Sequence, residues 1–554
     1  MNKLSITGIK GKFLWLLPSI FAIILYSQTY THEYISYDDS WYTFDNPVVP
    51  YGITWEGIKW STMYSQLANY HPVTWWSHML DFMLFGNSPG MFALENGFIH
   101  ALNALLVTLL LAKVFKSKPE AIIGGLIFAV HPLLIEAVAW ISQRKTLLST
   151  FWALLSMFLY LRFLDYDKAR VRFLLYTTSI FCFIISLLSK CMYVTLPALL
   201  VLLEAMYDDR KRSIYQSLCI PYFESRFLPL LTRLLPYGIL AIIFSYIAIW
   251  SQSSGGAISS LSQMPIIERI GNILYSYFIY IRQFFYPHGL SIFYDFHSYI
   301  GLLDYLLYGF FLTTISVLLY VFHKHLGVYP IIGWLFFILS LLPVIGIVQI
   351  GDQSHADRYM YGPIIGLVIS TIAIGKKIIS FSESKAIRIT SILSVSCWVI
   401  FLCIDSYFSI EHWKNDLTIS IATLKNYPNN PAANHIFATG LLKQGKYKEA
   451  RDIISNLYSY YPEKHFYCYN LALCELLLGN TDKAIEYQKN YCEKVTVPGA
   501  GLPNLAKFYC ILGDYKKAEE ILKDINSHNY SFLKSERIIL KEVEEGIKQH
   551  ASEE

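Results

Sequence analysis

The sequence predicts an all-α protein in two parts, a polytopic membrane helix bundle followed by a helical solenoid. The chain of 554 residues is 54% hydrophobic and only 16% charged, with a mean hydropathy of +0.38, which is too apolar for an ordinary soluble protein. Apolar segments long enough to cross a bilayer crowd the first three quarters of the chain. The last quarter is polar and has a helical repeat, so we expect it to fold outside the bilayer.

The membrane part contains about eleven apolar segments that are near the length of a bilayer crossing. They are 13–26, 91–115, 120–138, 146–164, 173–189, 192–206, 229–250, 303–322, 328–350, 361–380 and 388–408. A further segment, 270–286, is rich in tyrosine and contains Arg282, which favours an amphipathic helix at the outer interface over a crossing. The lipid bilayer is therefore the first predicted partner of this chain.

The placement of charges predicts the orientation. Lys3, Lys10 and Lys12 precede the first segment, and the positive-inside rule then puts the N-terminus in the cytoplasm. The acidic loop 28–90 follows on the outer side. An odd number of crossings carries the C-terminal part, 411–554, to the outside as well.

A repeat in the C-terminal part predicts its fold. Gly445, Gly479 and Gly513 are 34 residues apart, which is the tetratricopeptide period. In this repeat glycine turns the chain between two helices, and a small alanine packs where the helices cross. We therefore divide the chain into a membrane domain, 1–410, and a solenoid, 411–554, with repeats at about 432–465, 466–499 and 500–533. The alanines are Ala450, Ala484 and Ala518, and the apolar pairs predicted to be buried before each turn are Leu441-Leu442, Leu477-Leu478 and Ile511-Leu512.

Polar residues that are costly in a membrane protein gather on the outer side in this topology. The neighbouring carboxylates Asp38 and Asp39 open the outer loop. Lysine and arginine side chains neutralise a phosphate leaving group, and a carboxylate accepts the proton of an attacking hydroxyl. We therefore predict Asp38 and Asp39 as catalytic residues and four cations as the donor-phosphate site. These cations are Arg144, Lys145, Lys190 and Arg358, and the further site candidates are His71, Asn96, His100, His131, Glu136 and Asp357.

Other classes of function lack support in the sequence. No phosphate-binding glycine loop, nucleophile elbow or zinc-protease motif occurs in a usable context. No basic stripe predicts a nucleic-acid partner. No organic cofactor is indicated. A divalent metal on Asp38 and Asp39 is left open, because carboxylates bind hard cations but two neighbouring aspartates are weak evidence for a site.

Several motifs resemble the transmembrane and tetratricopeptide repeat (TMTC) family of protein O-mannosyltransferases and its bacterial relatives. They are Tyr37-Asp38-Asp39 with Asn46-Pro47, Tyr70-His71-Pro72, Asn96 with His100, His131-Pro132 through Glu136 to Arg144-Lys145, Lys190 before Thr195-Leu196-Pro197, Ala356-Asp357-Arg358-Tyr359, and Trp413 ahead of the repeats. The resemblance implies a GT-C glycosyltransferase fold that uses a polyprenyl-phosphate sugar donor on the non-cytoplasmic side. It also implies an acidic catalytic base in the first outer loop, which falls on Asp38 or Asp39.

The sequence and the resemblance together predict an inverting glycosyltransferase. It would transfer a sugar, mannose being one candidate, from a polyprenyl phosphate to Ser or Thr hydroxyls of an acceptor protein held by the repeats. The short repeat array and the Ile, Lys and Tyr usage indicate a bacterial member, in the inner membrane with its site and repeats in the periplasm. The alternatives are a non-enzymatic membrane-anchored repeat scaffold for envelope assembly, and a glycosyltransferase that acts on a glycolipid.

Overall fold

The computed structural model describes residues 13–63, 69–209, 220–254, 265–296, 301–381, 384–495, 499–528, 530 and 534–553. Lys3, Lys10 and Lys12 lie outside the described residues. Within these ranges the structure contains many helices and no β-strand, which confirms the all-α prediction.

The helices are numbered in chain order. The first ten are α1 Leu17–Tyr26, α2 Asp39–Tyr42, α3 Trp55–Met63, α4 Pro72–Phe85, α5 Pro89–Phe115, α6 Lys118–Val130, α7 Ile135–Ala139, α8 Arg144–Phe163, α9 Ala169–Ser189 and α10 Leu196–Asp209. The next seven are α11 Ile220–Ser254, α12 Ile266–Phe285, α13 Leu302–Val321, α14 His323–Leu326, α15 Tyr329–Leu341, α16 Ile364–Phe381 and α17 Lys385–Glu411. The last eight are α18 Asp416–Asn426, α19 Pro431–Lys443, α20 Tyr447–Tyr460, α21 His465–Leu477, α22 Thr481–Lys494, α23 Leu502–Leu512, α24 Tyr515–Ser527 and α25 Lys534–Glu553.

Among the described residues, eight helices are long and apolar enough to cross a membrane, as expected of an integral membrane protein. The predicted segment 120–138 is a pair of helices bent by 56°. The bend follows Val130, where His131 adopts an extended conformation and Pro132 cannot continue the hydrogen bonding of α6. The predicted segments 192–206 and 328–350 are shorter apolar helices, Cys191–Tyr207 and Tyr329–Leu341. The expected count of about eleven is reached only when the bent pair and both short helices also cross.

The chain forms two compact units. One comprises residues 1–32, 58–77 and 88–413, and the other comprises 33–57, 78–87 and 414–554. We call them the membrane unit and the repeat unit. Residues 33–57 and 78–87, which were predicted as parts of the outer loop of the membrane domain, group with the repeats. The domain boundary at residue 410 stays a proposal.

In the membrane unit, α8 and α9 pack through serines spaced seven residues apart on each helix. Ser156 donates to the carbonyl oxygen of Ser179 at 2.8 Å, and Ser186 donates to that of Ser149 at 2.7 Å. Small side chains with such bonds let membrane helices approach closely. The Ser149 hydroxyl also donates to the carbonyl oxygen of Lys190 at 2.9 Å, so this packing holds the chain where it leaves α9.

A second close crossing joins α15 and α16, the helices that flank the loop carrying Asp357 and Arg358. A Cβ atom added at Gly366 would lie 2.4 Å from the backbone nitrogen of Phe337 and 2.5 Å from the carbonyl oxygen of Gly333. Both are backbone atoms, which cannot move without moving the helix. Only glycine therefore permits this approach.

Gly366→Ala is expected to destabilise the membrane unit by about 1–3 kcal/mol, because overpacking must push two helices apart. The measurement is thermal unfolding of the purified protein in detergent, monitored by tryptophan fluorescence. Gly375→Ala is the matched control, since Gly375 lies in the same helix and a Cβ there would meet nothing within 4 Å. Equal melting temperatures of the two variants would contradict the close packing of α15 on α16.

The described part of the repeat unit contains the three successive helix pairs α19–α20, α21–α22 and α23–α24. Gly445, Gly479 and Gly513 turn the chain inside these pairs, with φ of +78°, +83° and +83°. Alanine packing is confirmed, since Ala450, Ala484 and Ala518 are fully buried.

The predicted burial before each turn is only partly right. Leu441 is buried, and Leu442 and Leu478 are half-buried. Leu477, Ile511 and Leu512 are 44–52% exposed because they are the last residues of their helices, past the crossing. The core uses residues one or two turns earlier, including Leu471, Cys474, Leu505 and Tyr509.

Candidate active site

Arg358 and Glu136 form a buried ion pair in the membrane unit. Glu136 lies in the first turn of α7 and is 2% exposed. Its Oε2 accepts a hydrogen bond from the backbone N–H of Arg358 at 2.6 Å, and its Oε1 pairs with the guanidinium. The guanidinium carbon also lies 5.5 Å from the ring centre of Trp140 and 5.1 Å from that of Tyr359. The carboxylate and the two rings hold the guanidinium in one orientation.

Lys190 is placed close to this pair. It follows α9 in an extended conformation, and its Nζ donates to the Thr146 hydroxyl at 2.9 Å. Burial, and then repulsion from Lys145 and Arg358, lower the pKa of Lys190 well below its usual value, while Glu136 acts in the opposite direction. Lys145 and Arg358 are thus both close enough to Lys190 to repel it, and binding of an anion there would relieve that repulsion.

Two tyrosines hold the turn that carries Asp357, one through the Asp357 carboxylate and one through the backbone of Ala356. The Tyr294 hydroxyl donates to the Asp357 carboxylate at 2.9 Å, and Asp357 is 3% exposed. Burial, and then repulsion from Glu136, raise the pKa of Asp357 well above its usual value, and the Tyr294 hydroxyl opposes this. The Tyr280 hydroxyl donates to the carbonyl oxygen of Ala356 at 2.9 Å. The turn that carries Arg358 is therefore fixed from two sides.

An apolar cavity of about 270 Å³ borders Lys190 in the same unit. Tyr70 and His71 also line it. Most of the remaining wall is aliphatic and comes from α11 and from the loop after α15, including Ala248, Ile249, Val344, Ile347, Val348 and Ile350. A cation on the wall of an apolar cavity suits a ligand with an anionic head and an apolar chain.

Arg144 is held by α5. Its Nη2 donates to the carbonyl oxygen of Phe92 at 3.0 Å, its Nη1 pairs with Glu95 at 3.1 Å, and its Nε donates to the Asn96 side chain. Asn96 in turn donates to the carbonyl oxygen of Trp140 at 3.1 Å. Arg144 and Asn96 thus join α8 to α5, and their participation in donor binding stays a prediction.

His100 and His131, two of the three candidate histidines, each bridge helices within the membrane unit. His100 Nδ1 contacts the Tyr361 hydroxyl at 2.8 Å, and its Nε2 donates to the carbonyl oxygen of Ala129 at 3.1 Å. His131 Nε2 donates to the carbonyl oxygen of Phe284 at 2.9 Å, and its Nδ1 accepts from the backbone N–H two residues later at 3.2 Å. These contacts give both rings a role in packing.

Asp38 and Asp39 belong to the repeat unit and differ in environment. Asp39 is 1% exposed, and its Oδ2 accepts a hydrogen bond from the backbone N–H of Ile35 at 2.9 Å. Asp38 is half-buried and immediately precedes α2. Asp39 therefore stabilises the turn, whereas the Asp38 carboxylate is partly exposed to solvent. Within the described part of the chain, no three His, Cys, Asp or Glu side chains are grouped to hold a metal ion.

Sequence reasoning missed Thr146, Tyr280 and Tyr294, which support the charged residues. Tyr280 lies in the tyrosine-rich helix α12, which was predicted at the interface because of those tyrosines. Its hydroxyl is buried against the turn before Arg358. Thr146 directly follows Lys145, which was predicted as a site residue, and this position next to Lys145 was the only feature of the sequence that pointed to it. A polar residue beside a predicted charge in an apolar segment is thus worth adding to a candidate site.

Comparison with known proteins identified relatives but no family model that matches. The chain is 32% identical over 154 residues to "Protein O-mannosyl-transferase TMTC1" of Mus musculus and 30% identical over 154 residues to "Protein O-mannosyl-transferase tmtc2" of Xenopus laevis. It is 30% identical over 128 residues to "Protein O-mannosyl-transferase TMTC3" of Mus musculus.

These alignments cover 26%, 26% and 23% of this chain and 16%, 18% and 13% of the three relatives. The chain thus spans less than a fifth of the length of the curated relatives that it matches. The resemblance to the TMTC proteins is thus confirmed as a similarity over about a quarter of this chain.

Proposed function

We propose that this protein is a membrane glycosyltransferase that transfers a sugar from a polyprenyl phosphate to Ser or Thr hydroxyls of a protein. One observation carries the proposal: Lys190 lies close to Lys145 and Arg358 and also lines an apolar cavity. A polyprenyl phosphate has its charge at the end of a long apolar chain, so one ligand satisfies both features. The names of the relatives support a protein acceptor and make mannose the first sugar to test.

The proposed reaction is a single displacement. The acceptor oxygen attacks the anomeric carbon, the bond from that carbon to the phosphate oxygen breaks, and the configuration is inverted. The hydroxyl proton passes to Asp38 or Asp39, and Asp38 is favoured because its carboxylate is the more exposed. Lys190 and Arg358, with Lys145, stabilise the negative charge that the departing polyprenyl phosphate carries away.

The wider assignment is part of the same proposal. The membrane domain, 1–410, would bind the donor, and the solenoid, 411–554, would recruit the acceptor protein and raise its effective concentration. The reaction would take place on the periplasmic side of a bacterial inner membrane.

The direct test is sugar transfer by the purified protein in lipid nanodiscs. The donors are polyprenyl-phosphate mannose and other polyprenyl-phosphate hexoses with a radioactive sugar, and the acceptor is an envelope fraction from cells that lack the protein. We expect label that migrates with protein and is released by β-elimination. Label that extracts into organic solvent instead would replace the protein acceptor by a glycolipid, and no transfer from any donor would overturn the proposal.

Filling the apolar cavity should weaken donor binding. Ala248→Trp places an indole in the cavity and is expected to raise the donor KM about tenfold or more, because the lipid chain loses its space. The measurement is initial rate against donor concentration. Ile242→Trp is the matched control, since Ile242 lies on the same helix but is 73% exposed.

A donor with a chain of two isoprene units should be affected much less by Ala248→Trp, because it needs less of the cavity. If both donors lose affinity equally, the cavity does not hold the lipid chain.

A further inference from the structure

The segment 33–57, which we call the aspartate loop, is attached to the start of the repeat array. Asp416, in the first turn of α18, is 2% exposed. Its Oδ1 accepts from the backbone N–H of Ser36 at 2.7 Å, and its Oδ2 accepts from the Ser36 hydroxyl at 2.7 Å. Lys443 neutralises the same carboxylate at 2.8 Å. The attachment point is thus only two residues before Asp38.

The loop is attached a second time at the far end of the array. Asp45 Oδ1 accepts from the backbone N–H of Ser535 at 2.8 Å, in the first turn of α25. A carboxylate is stabilised there by the helix dipole and by an otherwise unsatisfied N–H group. The Asp45 carboxylate also lies close enough to Tyr469, in α21 of the second repeat, to interact electrostatically. The contacts therefore extend from before the first repeat to after the third.

Internal hydrogen bonds give the aspartate loop a defined shape. Asp39 accepts from the backbone N–H of Ile35, and the Asn46 side chain accepts from the N–H groups of Val48 and Val49 at 3.0 and 3.1 Å. Asn46 also donates to the carbonyl oxygen of Trp41 at 3.0 Å. A loop that is held by such internal hydrogen bonds moves together with its two attachment points. These points therefore set the position of the residues between them.

We propose that the repeat array binds the chain's own aspartate loop as a tethered ligand, and that Asp416 is a positioning residue for Asp38. Solenoid repeats form extended surfaces that bind extended segments, and here such a segment is supplied in cis. The array then holds the proposed base at a fixed place in addition to recruiting the acceptor. The role of Asp38 as base rests on the proposed function, but the binding of the loop does not.

The test uses the full-length protein in detergent and compares the wild type with substitutions at Asp416, Ser36 and Asp514. Asp416→Asn removes the charge that holds Ser36, and Ser36→Ala removes one of the two hydrogen bonds. Asp514→Asn is the matched control, because Asp514 caps α24 and pairs with Lys517. The first measurement is hydrogen–deuterium exchange of the peptide that contains Ile35 and Ser36. We expect exchange to be about tenfold faster in Asp416→Asn and unchanged in Asp514→Asn.

The second measurement is steady-state kinetics. Positioning predicts that Asp416→Asn lowers kcat about tenfold or more with the acceptor KM nearly unchanged, since a displaced base slows the chemical step. Asp416→Glu should restore part of kcat, and Ser36→Ala should add little to Asp416→Asn, because both act on one contact.

Two results would overturn the inference. Unchanged exchange in Asp416→Asn would show that the array does not hold the loop. A raised acceptor KM with unchanged kcat would show that this surface serves the acceptor and not the base. If the wild type transfers no sugar, the proposed function fails, and the exchange measurement still decides whether the array binds the loop.

Discussion

Replacing Arg358 and Glu136 together by glutamine is expected to lower sugar transfer by about a hundredfold to a thousandfold, the usual cost of losing one group that stabilises developing negative charge. The double substitution is needed because Arg358→Gln alone would leave Glu136 as a buried, unpaired carboxylate. An unpaired buried carboxylate destabilises the folded protein by about 3–5 kcal/mol, so a loss of activity could then result from unfolding and not from lost catalysis. Removing both partners replaces a buried ion pair by two neutral amides, which folded proteins tolerate far better.

The measurement combines kcat for sugar transfer with thermal unfolding in the same detergent. The matched control is Arg233→Gln with Glu204→Gln, a second Arg–Glu pair in the membrane unit, whose Glu204 also accepts from the Tyr160 hydroxyl at 2.6 Å. We expect the control pair to keep its activity. Loss of activity in both double variants, or in neither, would remove Arg358 from the proposed mechanism.

The two aspartates are expected to respond differently to substitution. Asp38→Asn should lower kcat by about a hundredfold to ten-thousandfold, the range for loss of a general base, with the melting temperature unchanged. Asp39→Asn should lower the free energy of unfolding by about 1.5–3 kcal/mol, because a buried carboxylate that accepts from the Ile35 N–H becomes a neutral amide.

Both variants are to be measured by initial rates and by thermal unfolding at the same pH. The reverse pattern, a stability loss in Asp38→Asn and a rate loss alone in Asp39→Asn, would move the base to Asp39. A double Asp38→Asn, Asp39→Asn variant that still transferred sugar at the native rate would leave the proposed mechanism without its base.

Local pattern was enough to predict the helices and their repeats. Apolar length located the spans, and the spacing of Gly445, Gly479 and Gly513 located the three helix pairs. The bend at Pro132 and the short helix Tyr329–Leu341 were not expected, because hydropathy adds up apolar residues and takes no account of a broken hydrogen-bond ladder. Exposure of Ile511 and Leu512 was missed for a related reason, since the end of a helix lies beyond its crossing.

The candidate site was predicted only as a set of charges. Hydropathy shows that a charge in an apolar segment needs a partner, but it does not name the partner. Lys190 and Arg358 lie close together, and Glu136 pairs with Arg358. Arg144, which has the same chemistry and is next to Lys145 in the sequence, is held by Glu95 and Asn96 instead.

The sequence by itself determined the fold class of the protein and its helical periods, and it supplied the candidate residues for a phosphate site. These are properties of short stretches, set by composition and by spacing along a helix. The tertiary structure alone decided which cations converge and what holds the aspartate loop. Arg358 meets Glu136 across 222 residues, and Ser36 meets Asp416 across 380. Such pairings depend on how whole helices pack, and no local pattern contains that information.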